Sequence, residues 1–161
     1  MVTGKEDLLQ ALVDAFLMEK GTREFYLHAA ERAAGQAARE MFRELSCWED
    51  GHMRYVQYLY QALLDDREMQ TFGEFREKSA APDTEAGIPV KDLKEVVEEY
   101  SFADDKEALV VALEIEGKAY NLYRSLSETA ADSNARVVFR EMMEQEKKHI
   151  GVLNELKKSI S

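Results

Sequence analysis

The sequence predicts an all-α protein: a four-helix bundle made of two duplicated helical hairpins joined by a long crossover. Three observations predict it. The chain resembles itself at an offset of 97 residues, so that Phe42-Arg43-Glu44 recurs as Phe139-Arg140-Glu141 and Ala11-Leu12 as Ala108-Leu109. Helix breakers are sparse, with 2 Pro and 8 Gly in 161 residues. Apolar residues recur at alternating spacings of four and three, the period of one helix face, and Val, Ile and Thr show no alternation that would mark a strand.

The elements follow in chain order. Residues 5–33 are almost free of breakers and reach Ala-Gly-Gln at 34–36, where Gly35 can end the first helix before residues 37–64 form the second. Residues 65–103 change character and hold both prolines; a short amphipathic stretch at 90–100, VKDLKEVVEEY, predicts a minor helix there. A connection of that length can run from one end of a bundle to the other. Asp104 or Asp105 can cap a third helix ending near residue 130, and Asp132-Ser133-Asn134 offers a turn and a cap before a last helix ending near Ser159. The expected organisation is one domain over residues 1–161, with hairpins at about 5–64 and 104–159.

Composition excludes several function classes. With 32 acidic and 21 basic residues the formal charge is −11, which repels nucleic acid and anionic lipid and favours cations. Cys47 is the one cysteine, so a disulfide framework, a zinc ribbon and a four-thiolate iron site within the chain are excluded. No basic leader with an apolar stretch and no run of 18 apolar residues is present, so the expected compartment is the cytoplasm.

Charged residues stand where the core should be. Positions 38, 42, 45, 49, 52, 56, 59 and 63 read Ala, Phe, Leu, Glu, His, Val, Leu, Leu, and positions 135, 139, 142, 146, 149, 153, 156 and 160 read Ala, Phe, Met, Glu, His, Leu, Leu, Ile. Glu49 and His52, then Glu146 and His149, interrupt two otherwise apolar seams at the same place. The first and third helices add Glu19 and Glu116 to their inner faces. Four buried, unpaired carboxylates would each cost several kcal/mol and would repel one another. Only Arg23, one turn after Glu19, is a basic residue near these seams. Two divalent cations balance four carboxylates charge for charge. Residues three apart share a helix face, so Glu-x-x-His can offer an oxygen and a nitrogen to one metal, while lone glutamates on facing helices can bridge two. This set is the one known for di-iron and di-manganese bundles, and mixed carboxylate and imidazole ligands suit iron or manganese.

Other residues have plainer expected roles. Tyr26 and Tyr123, two turns beyond the lone carboxylates, could hydrogen-bond to ligands or pack the core, and Tyr120, one turn after Glu116, could approach the site. His28 is expected at the surface, Cys47 and Trp48 outside the seam, and Glu95, Glu98 and Glu99 on a solvated face. Tyr55, Tyr58 and Tyr60 suggest a helix-to-helix dimer surface, unless they cover the linker.

With Glu19…Tyr26, Glu49-x-x-His52, Glu116…Tyr123 and Glu146-x-x-His149 in place, the chain resembles a rubrerythrin-like member of the ferritin-like superfamily over both hairpins. The resemblance implies a non-haem di-iron centre held by Glu19, Glu49, His52, Glu116, Glu146 and His149, with Glu49 and Glu146 terminal or bridging according to redox state. A manganese or mixed pair fits the same ligands. It implies an oxidoreductase that reduces hydrogen peroxide or dioxygen, and a homodimer. Rubrerythrins also carry a four-cysteine rubredoxin domain, so here a separate protein would have to deliver the electrons. They further carry a carboxylate three residues after the third-helix ligand, where this chain has Ala119, with Thr22 at the counterpart. The alternatives are a ferroxidase or iron-handling protein and a metal-free helical interaction module.

Overall fold

The computed structural model describes residues 4–67, 72, 74, 75 and 103–160. The described residues form four long helices: α1 (Lys5–Arg32), α2 (Gln36–Leu64), α3 (Asp105–Thr129) and α4 (Ser133–Ile160). There is no strand among the described residues, and none of their helices is long and apolar enough to cross a membrane. Helices α1 and α2 pack closely as one hairpin and α3 and α4 as the other; α1 also packs against α3, whereas the backbones of α2 and α4 stand further apart and meet chiefly through long side chains. The expected minor helix at 90–100 and the acidic face at Glu95, Glu98 and Glu99 lie outside the described residues.

Local chemistry sets the helix ends. Gly35 does not terminate α1; it stands in the extended region, at φ −90°, as the first half-turn of α2. The two aspartates proposed as caps divide the work. Asp104 accepts from the Glu107 N–H at 2.9 Å and caps α3. Asp105 instead accepts from the Ala34 and Gly35 N–H groups at 3.0 and 2.9 Å, tying the α1–α2 turn to the start of α3. Asp132 accepts from the Asn134 and Ala135 N–H groups and starts α4.

The core is split in two. One apolar cluster includes Leu12, Phe16, Val56, Leu59, Phe139 and Met142; the other includes Phe25, Phe42, Leu45, Leu109, Leu153 and Leu156. Both are close-packed rows of the predicted seams. Between them, at mid-bundle, sit the polar residues that interrupt those seams.

Two aromatic side chains of the crossover dock on α2. Tyr55 is fully buried, with its ring 5.3 Å from Phe72, and Tyr58 lies 5.0 Å from Phe75. These two tyrosines therefore pack against the linker, Tyr55 buried and Tyr58 still partly exposed. The Phe72 N–H donates to Glu141 on α4 at 3.2 Å.

Candidate metal centre

All six predicted side chains converge. Glu49, His52, Glu116 and Glu146 have no solvent exposure, Glu19 retains 1% and His149 5%. Each comes from the inward stripe of its helix, and the i, i+3 spacing places Glu49 above His52 and Glu146 above His149. The His52 Nδ1 lies 3.0 Å from Glu146, 3.4 Å from Glu19 and 3.5 Å from Glu49. The His149 Nδ1 lies 3.0 Å from Glu49, 3.4 Å from Glu116 and 3.7 Å from Glu146. The two imidazoles are stacked, 5.3 Å apart and 11° from parallel.

These atoms form two overlapping groups: Glu19, Glu49, His52 and Glu146, and Glu49, Glu116, Glu146 and His149. Each group could hold one cation. Glu49 and Glu146 belong to both, so the shared carboxylates are those of the Glu-x-x-His motifs. Glu19 and Glu116 each belong to one group only, Glu19 beside His52 and Glu116 beside His149.

The donor set fits a pair of cations on a second count. Both oxygens of Glu49 and Glu146, one of Glu116, and all four ring nitrogens of His52 and His149 are buried without a hydrogen bond. Folded proteins rarely leave so many buried polar atoms unmatched in one place, and an ion that accepts several lone pairs at once resolves it. Arg23 does not help: it pairs with Asp50 at 3.0 Å and Glu24 at 2.8 Å, facing away from the cluster.

Two tyrosines orient the outer carboxylates. The Tyr26 hydroxyl on α1 donates to Glu116 on α3, and the Tyr123 hydroxyl on α3 donates to Glu19 on α1, each at 2.5 Å. Each tyrosine thus serves the lone carboxylate of the other hairpin. Burial, then the neighbouring carboxylates, push both phenols well above their usual range, so both keep the proton they donate. Tyr120 does not join them. Lying about 40° further round α3 than Glu116, it lines a separate groove with Arg124, Arg136 and Arg140. Thr22 is also turned away from the site, donating to the Met18 carbonyl at 2.8 Å, and Ala119 is buried. Tyr26→Phe and Tyr123→Phe should each lower metal affinity by roughly 10–100-fold, as loss of an outer hydrogen bond to a ligand does. Competition against a chelator of known affinity reads it.

Sequence reasoning missed two side chains at this site. Trp48 stands 6.2 Å from the His149 ring, and Phe72 of the crossover lies edge-on to His52 at 5.1 Å. Phe72 and Phe75, three apart in an otherwise polar segment, were the available signal. Cys47 is exposed, as expected.

Without cations the cluster divides its protons. Burial, then the charges of Glu19 and Glu116, push the Glu49 carboxyl well up. Burial, then Glu116 and Glu19, do the same to Glu146. Burial also raises Glu19 and Glu116, but the close approach of Glu49 to the first and of Glu146 to the second, with the nearby imidazoles, outweighs it, holding Glu19 low and Glu116 down to about 2. Burial lowers His52, yet Glu19 and Glu146 raise it well above its usual range.

The signs give a pH dependence for the metal-free chain. Above the ordinary carboxyl range near 4.3, the folded chain keeps protons on Glu49 and Glu146 that the unfolded chain has lost. Near and above neutrality the same holds for His52. Stability therefore falls as pH rises through the folded values of these three groups. Glu19 and Glu116 act oppositely, contributing above their unfolded range and losing that contribution as pH falls toward the acid limit. In the presence of a chelator the melting temperature should peak in mildly acidic buffer and decline toward pH 8. Thermal melts from pH 3 to 8 test it, and a rising melting temperature between pH 6 and 8 would contradict it.

A family model described as Rubrerythrin matches residues 10–104 and 107–161 of the chain. Among curated proteins no relative matches. One similar solved structure is that of a two-domain protein with DJ-1/ThiJ/PfpI-like and ferritin-like domains from Anabaena variabilis. It is 17% identical and superposes with a TM-score of 0.73 over 98% of this chain. The chain spans 41% of that protein's length, and the likeness shows the fold: a ferritin-like bundle.

Proposed function

The chain belongs to the rubrerythrin family, and from that premise we propose that it is a non-haem di-iron oxidoreductase that reduces hydrogen peroxide or dioxygen. The observation that carries the reading is the pair of overlapping, buried carboxylate and imidazole groups sharing Glu49 and Glu146.

Glu19 and His52 would hold one ion, Glu116 and His149 the other, with Glu49 and Glu146 between them. A bound ferrous pair would supply two electrons and Lewis acidity for cleaving an O–O bond. The chain's own residues supply the rest. Four carboxylates offset the charge of two divalent ions, and the apolar clusters on either side keep the cluster buried in a low-dielectric setting. Tyr26 and Tyr123 hold Glu116 and Glu19 in position through protonated hydroxyls. Thr22 and Ala119 bring no further carboxylate to the centre, so among the described residues the candidate ligands are these six.

The family resemblance also supports a homodimer, and it supports delivery of electrons by a separate donor protein. Anaerobic mixing of the ferrous-loaded protein with hydrogen peroxide tests the activity. Oxidation at least a hundredfold faster than for free ferrous ion supports it; oxidation no faster than in the Glu49→Gln, Glu146→Gln double variant overturns it. Ferrous titration in air separates the iron-handling reading, since a store takes up many irons per chain and a cofactor site stops at about two.

A further inference from the structure

The two halves of the ligand set are related by the 97-residue repeat, but solvent approaches them differently. Over His52 the gap between α2 and α4 is closed. The Phe72 ring lies edge-on to the imidazole at 5.1 Å and against Tyr55 at 5.3 Å, and it also packs where Gly51 presents no side chain. Over His149 no described side chain takes the equivalent place. At the position equivalent to Tyr55 the second half has Val152, which is 38% exposed. A cavity of about 400 Å³ occupies this space, walled by Met41, Leu45, Trp48, Phe72 and Val152 and reaching His149.

The size and lining of this cavity identify a class of occupant. Its volume lies in the range of pockets that enclose small organic ligands, far more than hydrogen peroxide needs. The walls are aliphatic and aromatic. Two acidic side chains, Glu44 and Glu141, and one basic, Lys148, border it, a balance that disfavours a carboxylate ligand. An uncharged molecule with a hydrocarbon part and a reactive polar end fits.

We propose that the cavity receives the alkyl group of an organic hydroperoxide, its O–O end turned toward His149 and the cluster. This assignment rests on the oxidoreductase reading above. The reaction is ROOH + 2H⁺ + 2e⁻ → ROH + H₂O. The O–O bond breaks, one oxygen leaves in the alcohol and the other as water, the protons come from solvent, and two ferrous ions give one electron each in becoming ferric. Trp48 is the one tryptophan of the chain and lines the cavity, so its fluorescence reports occupancy.

The test uses the full chain loaded with zinc, which is redox-inert, titrated with 1-butanol, 1-hexanol and 1-octanol as analogues of the product alcohol. The Trp48 signal should saturate, and affinity should rise roughly fourfold per added methylene until the cavity is full. Val152→Phe, an exposed position whose variant should fold, is expected to weaken 1-octanol binding roughly tenfold by filling the space. In ferrous-loaded protein the same variant should lower kcat/KM for hexyl hydroperoxide relative to that for hydrogen peroxide by a similar factor. A silent Trp48, a response independent of chain length, or equal slowing of both peroxides overturns the proposal while leaving hydrogen peroxide reduction standing. Inertness of the ferrous protein to both peroxides overturns the oxidoreductase reading, and the hydroperoxide assignment with it.

Discussion

The double variant Glu49→Gln, Glu146→Gln is expected to lose metal binding altogether, falling from about two ions per chain to close to none. These two carboxylates are the shared members of both donor groups, so removing their charge dismantles both positions at once. Either lone glutamate, by contrast, belongs to one group. The substitution is nearly isosteric, and in the metal-free chain both carboxyls are already pushed toward the neutral form. The variant should therefore fold, and it should be more stable than the metal-free parent at neutral pH, because an amide carries no charge to desolvate and needs no proton taken up on folding. Loss of metal together with a higher melting temperature is a combination that general damage to the fold would not produce. Elemental analysis and thermal melts in chelator measure the two effects.

Metal loading of the parent protein should raise its melting temperature by at least 10 °C. A ligand present at a thousandfold excess over its dissociation constant stabilises the folded state by about 4 kcal/mol, and two such ions by about 8 kcal/mol. For a chain of this size each kcal/mol corresponds to roughly 2–4 °C. The structural reason is the set of unmatched lone pairs around Glu49, Glu146, His52 and His149, which lower the stability of the metal-free chain until cations satisfy them. A chelator should reverse the shift. An unchanged melting temperature on chelation would favour the metal-free interaction module.

Much of this architecture is legible in the sequence because it rests on periodicity. The four and three spacing exposes Glu49, His52, Glu146 and His149 as intruders in apolar seams, and the 97-residue repeat shows that the intrusion is duplicated. Periodicity fixes which face a residue occupies. It does not fix how far each helix is rotated toward its neighbours. For that reason the shared carboxylates could not be told from the lone ones, and the exchange by which Tyr26 serves Glu116 while Tyr123 serves Glu19 was invisible. Tyr120 shows the same limit from the other side: one turn from Glu116 along α3, it still faces the α3–α4 groove. The roles of Asp105 and Phe72 were hidden for a different reason. Both act across the chain, Asp105 on a turn 70 residues away and Phe72 on a histidine of another element, and local pattern carries no record of such contacts.

The central claim is that these six side chains form a two-cation site, and anaerobic titration of the metal-free protein with ferrous ion tests it most directly. Calorimetry should show saturation at about two ions per chain, with release of protons to the buffer as Glu49, Glu146 and His52 are displaced from their protonated forms. Absence of saturable binding, or binding without proton release and unchanged in the Glu49→Gln, Glu146→Gln variant, would contradict the account.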